Sequence, residues 1–270
     1  MLRKSIIVVS LVIVTGLIIA TVFAPLIAPY DPNVPDLDSI KEAPSLVHLM
    51  GTDDRGRDIF SRVLFAARFS LVIGLASTAM ALVVGVVFGF LSGYYGGLMD
   101  SVIGLFTNIT LAFPSLLLAI GLSAVMEPGF WSVFIAIVAI SWAGFARLVR
   151  AETLKLKTSA HVDAARSLGA AHMYILIRHI LPLCTGLIIT TATLRIGTAM
   201  LTESSLSFLG LGIQPPEPTL GGMVSQGRDY FRSAPWITLF PGAVITLIII
   251  ALNTIGENYR ILFRTRFEKN

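Results

Sequence analysis

Charged side chains are scarce in this chain. Only 13% of its 270 residues are Asp, Glu, Lys or Arg, about half the roughly 25% of a soluble domain. Hydrophobic residues make up 55%, with a mean hydropathy of +0.82. A soluble globule of this length cannot hide so much apolar surface, which excludes a cytosolic enzyme, a nucleic-acid-binding domain and a disordered chain. Cysteine is nearly absent. The single Cys184 excludes an internal disulfide and a cysteine-built metal cluster. No Gly-Lys dipeptide occurs, so the chain has no phosphate-binding loop of the Gly-x-x-x-x-Gly-Lys-[Ser/Thr] kind. Gly-x-Ser-x-Gly and His-Glu-x-x-His are missing as well, and no acidic pair lies within an apolar run. An intramembrane enzyme is left without catalytic groups. The histidines at 48, 161, 172 and 179 have no metal-ligand spacing.

Long uncharged runs take the place of charge. A transmembrane helix needs about 20 consecutive apolar residues, and six stretches meet that need. They are Ile6–Ala24, 69–99, 101–126, 128–146, about 181–201 and 233–256. The predicted class is therefore an all-α membrane protein with six transmembrane helices. Arg3 and Lys4 precede the first run, as in a signal peptide, but the run is too long for an h-region and no small-x-small site follows. We expect an uncleaved helix. An even number of spans puts both termini on one side. The N-terminus, 147–180 and the C-terminal tail hold twelve Lys and Arg, against seven in 25–68 and 203–236. Positive residues mark the cytoplasmic side, so both termini are expected inside.

The expected division is 1–68 for the first helix and an extracytoplasmic segment, 69–259 for a five-helix core with a cytoplasmic loop at 151–180, and 260–270 for a tail. The loop is far longer than the roughly 2–8 residues that join helices in bundles. Ser159 is a candidate N-cap and Gly169 a candidate helix end. A two-turn helix between them offers Ala164 and Ala165 as a small-residue surface that another protein can approach closely.

Charged residues near or inside the spans are the other candidates. Arg195 is the only basic residue within an expected span, where insertion costs about 2.5–3.5 kcal/mol. It is expected to face the bundle interior, a partner or water. Glu203 lies eight residues later, about 12 Å away at 1.5 Å per residue, too far for a simple pair. Outside, Arg57 and Asp58 follow Gly56, either as a turn held by ion pairs or as an exposed charged loop. Asn108, Pro114 and Ser115 predict a kink and a packing contact in the third span. Gln214-Pro215-Pro216-Glu217-Pro218 predicts a stiff, extended outside segment.

Three motifs resemble a known family. Asp163-Ala164-Ala165-x-x-x-Gly169, followed by Leu181-Pro182, is similar to the "EAA" signature of ABC-importer permeases, with Asp163 for the usual Glu and His179 for the usual Ile. Gly51-Thr52-Asp53-x-x-Gly56-Arg57-Asp58-x-x-Ser61-Arg62, then Arg68-x-Ser70-Leu71, resembles the segment before the second helix in the peptide/nickel group, with Ala66 where Gly is frequent. Glu203-x-x-Leu206-Ser207-Phe208-Leu209-Gly210-Leu211-Gly212 resembles that group's segment after the fifth helix. The resemblance is to C-type permeases of dipeptide, oligopeptide or nickel importers and covers nearly the whole chain.

The resemblance implies a type I ABC importer permease fold in a bacterial or archaeal cell membrane, in contact with lipid. It implies a homologous second permease, two ATPase subunits carrying ATP and Mg, and an extracytoplasmic substrate-binding protein. No catalytic residue, metal, cofactor or nucleic acid is expected on this chain. Asp163, Ala164, Ala165 and Gly169 would couple to the ATPase. Asp53, Arg57, Asp58, Arg195 and Glu203 are the candidates for an outer gate or substrate path. Dipeptides, longer peptides, glutathione-like peptides and nickel complexes stay open as substrates. A secondary transporter, the remaining alternative, would show intramembrane acids or broken helices in repeats. Neither pattern is clear.

Overall fold

The computed structural model describes residues 19–267 together with 12, 15 and 16, and side chains up to 257. The expected first span, Ile6–Ala24, lies largely outside the described residues. A short helix α1 (Ala24–Ile27) leads into an irregular cap over 28–58. Then follow α2 (Ile59–Tyr95), α3 (Gly97–Ala112), α4 (Ser115–Val125), α5 (Phe130–Leu156) and α6 (Ala160–Ser167). The chain closes with α7 (His172–Ile175), a π-helical turn at Leu176–Ile180, α8 (Leu181–Phe208), α9 (Leu220–Gly227) and α10 (Trp236–Phe267). Among the described residues no strand forms. Four helices are long and apolar enough to cross a membrane, namely α2, α5, the run His172–Phe208 and α10, and the bent pair α3–α4 makes a fifth.

Several boundaries differ from the sequence expectation, each for a local reason. α2 starts at Ile59, ten residues before the uncharged run, because Asp58 caps it. The Asp58 carboxylate accepts from Ser61 N–H at 2.8 Å and from Ser61 Oγ at 2.7 Å, filling donors a helix start leaves open. Arg62 and Arg68 therefore sit inside α2, and a division at 68/69 falls within a helix. The third run is a break rather than a kink. Pro114 pushes Phe113 to extended backbone (ψ 141°), and α3 and α4 meet at 95°. The fifth span is longer than expected. Pro182 donates no N–H to the carbonyl of Arg178, and the π-helical turn before α8 absorbs that loss while the helix continues. Gln214–Pro218 forms a turn, not an extended strap.

Helix packing relies on small residues. Gly85, Gly89 and Gly93 recur every four residues along the α2 face that meets α5. A Cβ at Gly89 would stand 2.7 Å from Val149 Cβ, and one at Gly93 would stand 2.8 Å from Thr153 Cβ. At Gly85 it would collide with Phe145. In lipid there is no hydrophobic drive between helices, so such backbone approach supplies the dispersion contact. α8 packs on α2 and α10, and α9 bridges α8 and α10. A buried cluster of Ile59, Val63, Leu71, Met200, Leu220 and Ile237 lies at the cap end. At the opposite end Val149, Val162, Ile175, Leu176 and Ile180 form another, which anchors α6.

Candidate functional site

The cap is a buried polar network. Gly51 and Gly56 take positive φ (75° and 73°), and Thr52 bridges Asp58 to close a tight loop. At Gly56 a Cβ would collide with the Asp36 backbone, so no other residue fits. Inside the loop, Arg57 Nε donates to Asp53 Oδ2 at 2.8 Å, and the N–H groups of Arg55 and Arg57 reach Asp53 Oδ1 at 2.9 and 3.0 Å. Asp58 turns the other way, to His48 Nδ1 at 3.0 Å and to the start of α2. Asp53, Arg57 and Asp58 are each 3% exposed. Of the two expected forms, the turn held by ion pairs is the one present, with Arg57 paired to Asp53 and Asp58 to His48 rather than to each other. Arg62, which sequence reasoning left out of the site, joins through Nη1–H to Pro32 O at 2.6 Å and lies 3.5 Å from Asp53 Oδ2. Trp236 Nε1 donates to Thr52 O at 3.2 Å, tying the cap to α10.

Glu203 is fully buried on α8. Its carboxylate accepts from Ser70 Oγ of α2 at 2.7 Å and from Ser207 Oγ at 2.8 Å, with Ser204 Oγ at 3.4 Å. No cation pairs with it among the described residues, and Arg195 is not brought to it. Arg195 lies half-buried on another face of α8, with its guanidinium 5.9 Å from the Phe145 ring centre. No hydrogen bond reaches it among the described residues. Gly144 on α5 leaves room for it, since a Cβ there would collide with the guanidinium. Thr191, Arg195, Thr198, Thr202 and Ser205 recur at spacings of 4, 3, 4 and 3, a single helical stripe that the bundle leaves unburied. Thr198, Thr202 and Ser205 return their hydroxyls to backbone carbonyls four residues back, which would satisfy them in lipid too. Arg195 has no such outlet, so it is the residue that demands water or another chain.

α6 has the two turns expected. Gly169 takes φ 80° just past its end, and Ala170 N–H returns to Ala165 O at 3.1 Å while Gly169 N–H returns to Arg166 O at 3.0 Å, a glycine-closed helix end. Ser159 holds the N-cap position, but its hydroxyl bonds Leu156 O rather than the helix start. Val162 and Ala165 are buried against the end of α5 and the π-helical turn. The expected two-alanine surface is thus halved: Ala164 is exposed and Ala165 faces inward. Asp163 is exposed and pairs with Arg166 at 3.2 Å. Leu168, missed in the sequence, is 88% exposed, and Met173, Tyr174 and Ile177 nearby are exposed as well. For Leu168 the signal was available, as an apolar residue in a hydrophilic segment, whereas the other three lie in the run His172–Phe208 that is apolar enough to cross a membrane.

The comparisons with known proteins show the family and the fold. A family model described as "Binding-protein-dependent transport system inner membrane component" matches residues 85–268. The chain belongs to that family. A second model, for the N-terminal TM domain of oligopeptide transport permease C, matches residues 1–44 and makes this permease a C-type one. The permease is 41% identical over 260 residues to the glutathione transport system permease protein GsiD of Pectobacterium atrosepticum, covering 96% of this chain and 86% of that one. It is 40% identical over 258 residues to the dipeptide transport system permease protein DppC of Alkalihalophilus pseudofirmus, covering 96% and 85%. Among solved structures, a chain of the MetNI methionine ABC transporter in an inward-facing conformation aligns with a TM-score of 0.62 at 15% identity, over 76% of this chain and 97% of that one. A chain of an amino acid ABC transporter with histidines aligns at 0.55 and 16% identity, over 77% and 94%. These two share the fold, that of type I ABC importer permeases. The permease is a multi-pass inner-membrane transport component, not an enzyme.

Proposed function

We propose that this permease forms half of the path by which short peptides, dipeptides among them, enter the cell, driven by ATPase subunits on separate chains. The names of the 40–43% identical relatives support a peptide substrate, with glutathione as the second candidate. In this reading α6 faces the cytoplasm, with both termini on its side, and the cap faces outward. The observation that carries the reading is α6 itself: a short helix fixed on its inner face by Val162 and Ala165 while Asp163, Ala164 and Leu168 are offered outward. Such a helix suits a groove on an ATPase, in the helix-in-groove mode. Because its base is packed into α5 and the start of α8, movement of the groove is passed to those spans. The mechanism is then alternating access. ATP draws two ATPases together, their grooves carry the short helices of two permeases, and the bundles tilt to open the path outward.

The path runs along the unburied stripe of α8, where Arg195 meets water or the second permease. Arg195→Lys should keep more uptake than Arg195→Leu, since only the latter removes the charge. Glu203, together with Asp53, Arg57 and Asp58, acts as a gate support: these groups hold the outer ends of α2 and α8 and do not touch substrate. The complete assembly needs a second permease, two ATPases and an external binding protein. Uptake of labelled Ala-Ala, a pentapeptide, glutathione and a nickel complex by the reconstituted whole complex tests the substrate. Import of the two peptides ahead of glutathione and nickel is expected. Import of nickel alone would overturn the peptide reading.

A further inference from the structure

The cap end contains a cavity that the transport reading does not use. Its volume is about 230 Å³, and its walls come from α2, the loop after α8, and α9. Arg62 and Glu217 both line it, together with Gln214, Thr219 and Gln226. About 10–15 Å³ of such space is enough to hold one water, so the cavity has room for a small polar ligand. That admits the two ends of a very short peptide.

The Arg62 guanidinium is the unusual wall. It is 2% exposed, yet few of its five donors are used. Nη1 bonds Pro32 O, and Nε is enclosed without a hydrogen bond, 3.5 Å from Asp53. Asp53 is already committed, with one oxygen on Arg57 Nε and the other on two backbone N–H groups. Asp58 is taken by His48 and the helix start. Asp54 lies 4.0 Å from Arg57 and pairs with no other arginine. A buried cation with donors to spare therefore borders a polar cavity, and a planar guanidinium fork is matched by a carboxylate. Glu217 on the same lining is exposed, and among the described residues its side chain accepts only a long hydrogen bond, from Asn33 Nδ2 at 3.4 Å. Gln226 makes no side-chain hydrogen bond among the described residues. The lining thus carries one buried cationic group and one exposed anionic group, the two charges that a zwitterion would meet.

We propose that this cavity is a receptor for a short zwitterionic peptide, with its terminal carboxylate at Arg62 and its ammonium group toward Glu217. The inference rests on the peptide reading above and adds a resting place on the permease between the binding protein and the path. It predicts a weak, fast site that prefers free termini.

The test uses the assembled complex of permeases and ATPases without its binding protein, so that no acidic side chain of that protein can supply the carboxylate. Ala-Ala, its C-terminal amide and N-acetyl-Ala-Ala are titrated by saturation-transfer NMR. Amidation should weaken binding about tenfold or more, the scale of losing a hydrogen-bonded charge partner. Arg62→Gln should do the same to Ala-Ala. Because Arg62 also braces the cap, Glu217→Gln on the exposed loop serves as the second variant. It should weaken Ala-Ala about threefold, as an open ion pair is worth little, and leave N-acetyl-Ala-Ala unchanged. Equal binding of Ala-Ala and its amide, or no effect of Glu217→Gln on the preference for a free amine, would overturn the site. So would a wild-type complex that binds no Ala-Ala while its uptake with binding protein is normal. A wild-type complex that imports no peptide even with its binding protein would instead remove the peptide reading, and this site with it.

Discussion

Two hydrophilic segments, one at each end of the bundle, treat their charges in opposite ways. In the cap, Asp53, Arg57, Asp58 and Arg62 are buried; the first three are held by defined partners, and Arg62 is fixed to Pro32 beside them. Around α6, Asp163 and Arg166 are exposed and paired only with each other, while Leu168 stands in the open. A buried ionic network fixes one geometry, because removal of any member leaves a charge stranded. An exposed pair fixes little and is free to exchange its partner. The cap is therefore built to stay as it is, and α6, in the proposed reading, is offered to a partner.

The comparison breaks first at the cap. Asp53→Ala should strand Arg57 and Arg62 together, a loss of about 3–5 kcal/mol for a broken buried pair. The amount of folded permease and its unfolding midpoint in detergent should both fall sharply. Asp163→Ala, the matching change at the other end, should shift that midpoint little, since exposed pairs are worth about 0–1 kcal/mol. If the two variants lose equal stability, the contrast between the ends is wrong. A smaller effect is expected between them in the bundle. Gly89→Val drives a branched side chain into Val149 and the Ala146 carbonyl, and overpacking costs about 1–3 kcal/mol. Thermal unfolding should register it, and a midpoint equal to wild type would disprove the close approach of α2 and α5. Smaller still is Gly169→Val. Nothing lies within 4 Å of a Cβ there, so the cost is only the left-handed backbone, about 1–2 kcal/mol. Its stability loss should be modest while transport falls further, because the helix end is reshaped.

Much of this was legible before any coordinates. Long uncharged runs located four spans and the bent α3–α4 pair, the first run lying largely outside the described residues, and Ser159 and Gly169 bracketed α6 within a residue. Helix ends were misplaced where a single residue overrode composition: Asp58 started α2 early, and Pro114 split a run that hydropathy reads as continuous. The inward turn of Ala165 depends on helical phase, which a two-alanine motif does not reveal. Burial of Asp53, Arg57 and Asp58 could not be read from types that are mostly exposed, because it requires Pro32, His48 and Trp236 to converge from distant sequence. The stripe of Gly85, Gly89 and Gly93 was visible in the spacing, as was the 4-3-4-3 row around Arg195. Both needed a partner helix to give them meaning.

The central claim is that α6 transmits the work of the ATPases. The direct measurement is ATP hydrolysis by the purified whole complex carrying Asp163→Lys, with and without loaded binding protein. This change reverses an exposed charge and should leave the bundle folded. The account predicts that the complex carries normal spans but loses ATPase subunits or, where they are retained, hydrolyses ATP without stimulation by loaded binding protein. Full assembly with wild-type stimulation and uptake would contradict it and reduce α6 to a connecting loop.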